Sequence, residues 1–449
     1  MEYTVEDVSP VVKKVAVSVP KEEVNASIAA AVALYKSSVQ IDGFRKGKVP
    51  NSLIEQRFHD KVYAESREDL INLHISQIFS ETKSKPVGGL QVDDSADNFK
   101  RDQDFAYSFT FEHLPSFELP KYEGLDVDVV SQTVTDKDVD DVIQLLRKRH
   151  AKLVPVEGDA PAVEGQFANV DFQLFDEEGN LLKDIKGDNF DLEIGAHQAL
   201  PAFEDIVKEL RPGERKESPL TFPDDFLNPA LAGKTVRVKV SVNAVKRLDL
   251  PELTDTFAQS LGYDSCDALR EAMRKGREQS IASIQKSEAQ GKLIDNLLKV
   301  VDFPLPPSML DLQINLRVMN LISSMEKQGR SVASLGKTND ELKALARPAA
   351  EHVTRSLVLL LKIAEKENLQ VTETEVQKEI FNEAQANHED YNALRERYIR
   401  TGLIFSVQDR LLADKAADLV YARANIKEVE AAPEQNSDAN PSSETSAQE

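Results

Sequence analysis

Apolar positions recur along the chain in two rhythms, and each change of rhythm marks a change of element. Between Val11 and Val19, the residues Val15, Val17 and Val19 alternate with other neighbours, which predicts a short strand ended by Pro20. From Lys21 to Gln40 the spacing becomes three or four: Val24, Ile28, Val32, Tyr35 and Val39 form one stripe on a helix. A second helix is expected to open near Asn51 and to carry Leu53, Ile54, Phe58 and Val62, then Leu70, Leu73, Ile78 and Phe79. Phe105, Tyr107, Phe109 and Phe111 alternate without a break, so a strand here should pair with the first one behind the helices, its rings serving as core. The segment reads as an α+β domain whose helical hairpin points away from its sheet.

Pro115 and Pro120 mark the exit from that domain. Thr135 with Asp138 has the spacing of a capping box, opening a helix with Val139, Val142, Ile143 and Leu146 on one face. Acidic residues crowd its start and Arg147, Lys148, Arg149 and His150 its end, as the helix dipole favours, so the basic run reads as structural and not as a nucleic-acid patch. From Glu157 to Arg247 the texture turns to short alternating strands, over residues 169–175, 190–194, 214–222 and 235–245, interrupted by one helical stretch over 199–210. Beyond Leu250 helices are expected over 255–261, 267–301, 307–327, 339–368, 372–386 and 391–426, with the prolines of residues 303–307 forcing an extended bend. Stripes such as Leu310, Ile314 and Val318, or Leu403, Val407 and Leu411, are first of all helix packing. Residues 431–449 are polar, acidic and proline-containing, and are expected to be disordered.

Composition narrows the function classes. A chain of 449 residues is too long for one core and predicts several domains. The longest apolar run, Leu357 to Leu361, falls far short of a membrane span, and the start lacks a basic and apolar export signal. One cysteine, Cys266, allows no intrachain disulfide and fits a reducing cytoplasm. Seven scattered histidines, with no pair at helical ligand spacing, argue against a metal, and no Gly-x-x-x-x-Gly-Lys-Ser/Thr loop argues for a nucleotide, so no cofactor is expected. A formal charge of −22 argues against general nucleic-acid binding, and no sequence-specific nucleic-acid partner is expected, so any contact with an anionic particle must be local.

One local positive feature stands out. Gly43-Phe44-Arg45-Lys46-Gly47-Lys48-Val49-Pro50 sets an aromatic ring and three cations between two glycines and a closing proline, between two expected helices. An exposed Phe beside Arg is suited to docking, although an ordinary charged turn explains the same residues as simply. The eight residues resemble the signature of the trigger factor family, the ribosome-associated chaperones of bacteria. The resemblance implies that Gly43, Phe44, Arg45, Lys46, Gly47, Lys48 and Pro50 dock beside the nascent-chain exit of the large ribosomal subunit, with Phe44, Arg45 and Lys46 at the contact. Unfolded and nascent polypeptides are then the clients, in the cytoplasm and away from any membrane. The family is also linked with cell division, on which these residues do not bear.

The middle segment resembles the FKBP-type prolyl isomerases in its order of motifs: Val-Asp-Phe at 170–172, Asp-Asn-Phe-Asp-Leu at 188–192, Leu-Pro-Ala-Phe-Glu-Asp at 200–205, Arg-Pro-Gly-Glu at 211–214 and Leu-Ala-Gly-Lys at 231–234. Turning an X-Pro bond requires no nucleophile, only an apolar pocket for the twisted amide and an N–H to hold the preceding carbonyl. The resemblance implies that Phe172, Phe190, Phe203 and Phe226 line that pocket, with the Leu200 backbone near the substrate carbonyl. Leu182, Ala202 and Val238 depart from the family pattern, so activity is expected to be present but weak. A β domain whose Phe residues are only core is the plain alternative.

The sequence thus predicts a multidomain α+β protein. Its expected parts are a docking domain over 1–115, a connector over 116–156, an FKBP-like domain over 157–247, an all-α chaperone body with extended arms over 248–430, and the tail over 431–449. The rival readings are a scaffold or assembly factor without isomerase activity, and a free isomerase whose helices recruit folded clients.

Overall fold

A computed structural model of the chain describes residues 1–45, 47–94, 98–176 and 178–430. The acidic tail expected over 431–449 lies outside the described residues. In chain order the elements begin with strands β1 (Glu2–Ser9) and β2 (Val12–Val19), helices α1 (Lys21–Ser38), α2 (Asn51–Arg57) and α3 (His59–Thr82), and strands β3 (Pro86–Asp94) and β4 (Phe105–His113). There follow β5 (Asp126–Ser131), α4 (Asp136–Arg149), β6 (Lys152–Pro155), β7 (Phe167–Phe175), β8 (Leu181–Glu193), α5 (Pro201–Lys208), β9 (Arg215–Thr221) and β10 (Thr235–Asp249). The rest is helical, α6 (Asp255–Ser260), α7 (Cys266–Leu298), α8 (Pro307–Lys327), α9 (Asn339–Lys366), α10 (Glu373–Asn387), α11 (Tyr391–Thr401) and α12 (Leu403–Ala422), closed by β11 (Asn425–Glu430). The architecture is multidomain α+β, in two compact units. One comprises residues 1–125, 290–318 and 343–425; the other comprises residues 126–289, 319–342 and those from 426 onward.

In the first unit the sheet order is β1-β2-β4-β3, all antiparallel. The expected pairing of β2 with β4 holds in register, with Val19 opposite Phe105 and Val15 opposite Phe109. The four aromatic residues of β4 are all buried, and Phe79 of α3 meets Phe109 and Phe111 edge-on at 5.9 and 5.0 Å. Each such ring contributes roughly 1.5–3 kcal/mol by leaving water. Two details depart from expectation. The second helix breaks at Phe58 (φ −120°, ψ 24°) into α2 and α3, and the Phe58 ring lies against Tyr35 at 5.7 Å. Leu73, placed on the buried stripe by its spacing, is exposed, while the polar Ser66 and His74 are buried. Ser66 meets the Ser27 hydroxyl at 2.8 Å, and His74 meets the Glu23 carboxylate through Nε2 at 3.2 Å while its Nδ1 is buried with no partner among the described residues.

A second expected helix of this unit is also interrupted. The single helix expected over 391–426 is two, α11 and α12, because Gly402 takes φ +72° and ends the first. Tyr122, from the connector, donates to Glu367 at 2.5 Å, and Arg423 clamps Glu367 and Glu123 at 2.7–3.0 Å. Burial first, and then the bond to Glu367, push the Tyr122 hydroxyl up to about 12.

In the second unit β6, β10, β7 and β8 are neighbours in that order, and β9 pairs with the other end of β10. Helix α5 covers one face, burying Phe203, Ile206 and Val207 in the same cluster as Val170, Leu192, Val238 and Val240. Outside this domain, α4 opens on the expected capping box of Thr135 and Asp138. The Asp138 carboxyl is held below the usual range by its bond from the Thr135 side chain.

Candidate functional site

The loop between α1 and α2 is built from two successive tight turns. The Phe44 N–H donates to the Ile41 carbonyl at 3.1 Å and the Lys48 N–H to the Arg45 carbonyl at 2.9 Å. The third residues of these turns, Gly43 and Gly47, have φ +87° and +81°, which a side chain at Cβ would resist. Ile41 and Val49 are buried at the two ends of the loop and anchor it to the domain core. Pro50 caps α2, its carbonyl accepting from Leu53 and Ile54. Between the anchors, Phe44 is 37% exposed, a large ring held in water by a defined backbone.

Two of the carboxylates near this ring have partners of their own. Glu55 is engaged by Arg101 at 2.8 and 3.0 Å, which holds its carboxyl below the usual range, and Asp60 faces His59 at 3.1 Å. Arg45, Lys48, Arg57 and Lys61 are exposed and make no ion pair among the described residues. Lys46, the remaining cation expected at the contact, lies outside the described residues. Such a loop can insert an aromatic ring into a shallow apolar recess while its neighbours meet carboxylates or phosphates.

The second candidate site lies on the β7–β8–α5 layer. Phe172 of β7 and Phe203 of α5 meet edge-to-face at 5.3 Å, and Leu200, Phe226 and Leu182 pack half-buried against the same cluster. Phe226 leans on Phe222 at 4.7 Å. Phe190 stands apart: it is 43% exposed and is not in that cluster. It follows a bulge in the β7–β8 pairing, where Asn189 takes φ +55° and donates to Asp171 at 2.6 Å. That backbone bond is the main reason the Asp171 carboxyl sits below its usual range. Of the three departures noted in the sequence, Leu182 packs on the cluster, Ala202 is exposed on α5, and Val238 is wholly buried opposite Leu174, a core position.

Leu200 sits at the N-cap of α5, just before Pro201, and its carbonyl accepts from Phe203 and Glu204. Its own N–H has no acceptor among the described residues. Glu204 is buried, with one carboxylate oxygen accepting from the Gly195 N–H at 3.2 Å, which fixes the loop leading to Leu200. The arrangement therefore offers an apolar corner with one free N–H at its edge.

Gly187 was not singled out from the sequence. It pairs directly with Phe172, and a Cβ built on it would lie 2.3 Å from that ring. A glycine inside a strand signals such a close approach, but the surrounding Asp and Asn residues read as a turn and hid the signal.

Comparison with known proteins adds two family matches. A profile described as bacterial trigger factor protein (TF) matches residues 1–146, and one described as bacterial trigger factor protein (TF) C-terminus matches residues 265–422. Among relatives, the trigger factor of Nitratidesulfovibrio vulgaris strain Miyazaki F is 45% identical over 433 residues, covering 96% of this chain and 100% of its own. That of Solidesulfovibrio magneticus is 40% identical, covering 96% and 97%, and that of Lawsonia intracellularis is 36% identical, covering 96% and 100%. A solved structure described as promiscuous substrate recognition in folding and assembly activities of the trigger factor chaperone is 20% identical. It covers 94% of this chain and 99% of its own, with a TM-score of 0.44.

Proposed function

The chain belongs to the trigger factor family of bacterial chaperones, and from that premise we propose that it docks on the large ribosomal subunit beside the nascent-chain exit. There, in the cytoplasm, it shields emerging polypeptides without ATP and accelerates cis/trans isomerisation of X-Pro bonds. The observation that carries docking is Phe44, exposed between two positive-φ glycines on a loop whose ends are buried at Ile41 and Val49. Solvating such a ring costs free energy that a partner's apolar recess returns. The contact residues are Gly43, Phe44, Arg45, Lys46, Gly47, Lys48 and Pro50.

Client shielding is supported by apolar side chains left in water on the helices of the first unit. Leu345, Phe381, Ile399 and Phe405 are all exposed. Spread over several helices, they suit weak, many-point contact with an unfolded chain more than one tight site.

For the isomerase step, an amide twisted toward its transition state loses resonance and polarity, against a barrier of roughly 18–20 kcal/mol. The corner of Phe172, Phe203 and Phe226 suits that apolar state, and the unpaired Leu200 N–H is available to the carbonyl before the proline. Phe190, exposed at the rim, is assigned to contact with the substrate's flanking residues. With Leu182 in place of a ring, the pocket holds substrate loosely and turns it over weakly.

A photo-reactive phenylalanine analogue at position 44 tests docking. On purified ribosomes it is expected to crosslink to a large-subunit protein at the tunnel exit. No crosslink, or crosslinks scattered over both subunits, would overturn the assignment.

A further inference from the structure

The segment that carries Phe226 is held by chain 105 residues further on. Phe226 and Arg330 form an isolated antiparallel bridge, outside any strand. On one side of Phe226, the Leu227 N–H donates to the Gly329 carbonyl at 2.8 Å; on the other, the Ser331 N–H donates to the Asp225 carbonyl at 2.6 Å. The Arg330 guanidinium adds an ion pair with the Asp225 carboxylate. All of these residues lie in the second unit.

The supporting turn has a fixed shape of its own. Helix α8 ends as Gly329 and Arg330 donate to Glu326 and Met325 at 2.9 Å, with Gly329 at φ +71°, and Ser331 then caps a short 3₁₀ turn over Val332–Leu335. A rigid turn thus grips both peptide groups flanking Phe226, whose ring leans on Phe222 within the cluster of Phe172 and Phe203. The loop from Phe222 to Lys234 is otherwise tied to its own domain by short-range turns.

We propose that the α8–α9 turn is a strut for the isomerase pocket, with Gly329, Arg330 and Ser331 acting with Asp225 as positioning residues that hold the Phe226 wall. The inference rests on the isomerase reading given above. A pocket wall displaced by about 1 Å loses preorganisation at a cost of up to a hundredfold in rate. The pocket is in this view assembled from two separated parts of the sequence, and a helical element of the chaperone body sets its activity.

The test uses the full-length chain in a proline-limited refolding assay, comparing wild type, Arg330→Ala, and Asp225→Arg combined with Arg330→Asp, with Phe203→Ala as a pocket control. Arg330→Ala is expected to lower kcat/KM about tenfold through kcat, and the charge swap to restore most of it. Hydrogen exchange should show the Leu227 and Ser331 amides losing protection in Arg330→Ala while the β7 and β10 amides keep theirs, which separates a loosened strut from an unfolded domain. Unchanged activity with those two amides deprotected overturns the strut and leaves the isomerase reading intact. Unchanged protection overturns it as well, since the contact would then not depend on Arg330. Increased activity also overturns it, because the turn would then be shielding the pocket. A wild type as inactive as Phe203→Ala overturns both readings.

Discussion

Phe172 can lie against Phe203 because the residue facing it across the β7–β8 pair has no side chain. At Gly187 a Cβ would come within 2.3 Å of the Phe172 ring, closer than any real contact, so the ring must move if one is added. Gly187→Ala is therefore expected to cost roughly 1–3 kcal/mol of domain stability by overpacking. It should also lower isomerase activity severalfold as Phe172 leaves Phe203. Aromatic NMR shifts and a proline-limited refolding assay check this; unchanged shifts and rate would show that the ring has room. Part of the packing at this proposed pocket was legible in the sequence. Phe172, Phe203 and Leu200 stand in motifs whose order suffices to place them, and they fall in one cluster. The exposure of Phe190 and the grip on Phe226 were not legible. The first depends on a bulge at Asn189, the second on residues 329–331, and neither a bulge nor a contact across such a span leaves a periodic trace.

Among the elements, helices whose spacing and caps agree were the most readable. Helix α10 is an example: Thr372 accepts from the Glu375 N–H at 3.3 Å, Glu375 accepts from the Thr372 N–H at 2.8 Å, and Lys415 of α12 joins Glu375 at 2.9 Å. The Lys415 bond first, and then those from Thr372, bring the Glu375 carboxyl down to about 2, against an ordinary 4.5. Because the folded state favours the ionised form, this contribution is complete above about pH 4.5 and is lost as the pH falls toward 2. Thr372→Ala is expected to cost about 1 kcal/mol at neutral pH. Hydrogen exchange of the first turn of α10 measures it, as does the fading of that turn's protection on acidification in wild type; identical exchange in both proteins would contradict the assignment. Strands at sheet edges were the least readable. β1 is almost entirely exposed, so no apolar alternation marks it. β3 runs through Gly88 at φ +73°, packed so closely on Ser308 that a Cβ would collide with its hydroxyl. β5 and β11 pair with each other across some three hundred residues, a partnership no local pattern encodes.

At the scale of the whole molecule, a body of formal charge −22 carries a candidate docking loop whose exposed cations are unpaired among the described residues. Such a charge distribution favours reversible attachment, since the body is repelled by an anionic particle while the loop is drawn to it. The screening length of about 8 Å at physiological salt confines the attraction to the loop's neighbourhood, so binding should weaken as salt rises. The family membership makes this a trigger factor-type chaperone, and the exposed ring and apolar helix surfaces are what support the proposed attachment where unfolded chains emerge. The measurement that tests this most directly is co-sedimentation with bacterial ribosomes at moderate salt. It compares wild type with the combined Phe44→Ala, Arg45→Ala and Lys46→Ala variant, whose changes lie between the buried anchors and leave the core intact. The account predicts saturable binding by wild type that is lost in the variant. Equal binding by both proteins, or by neither, would contradict it.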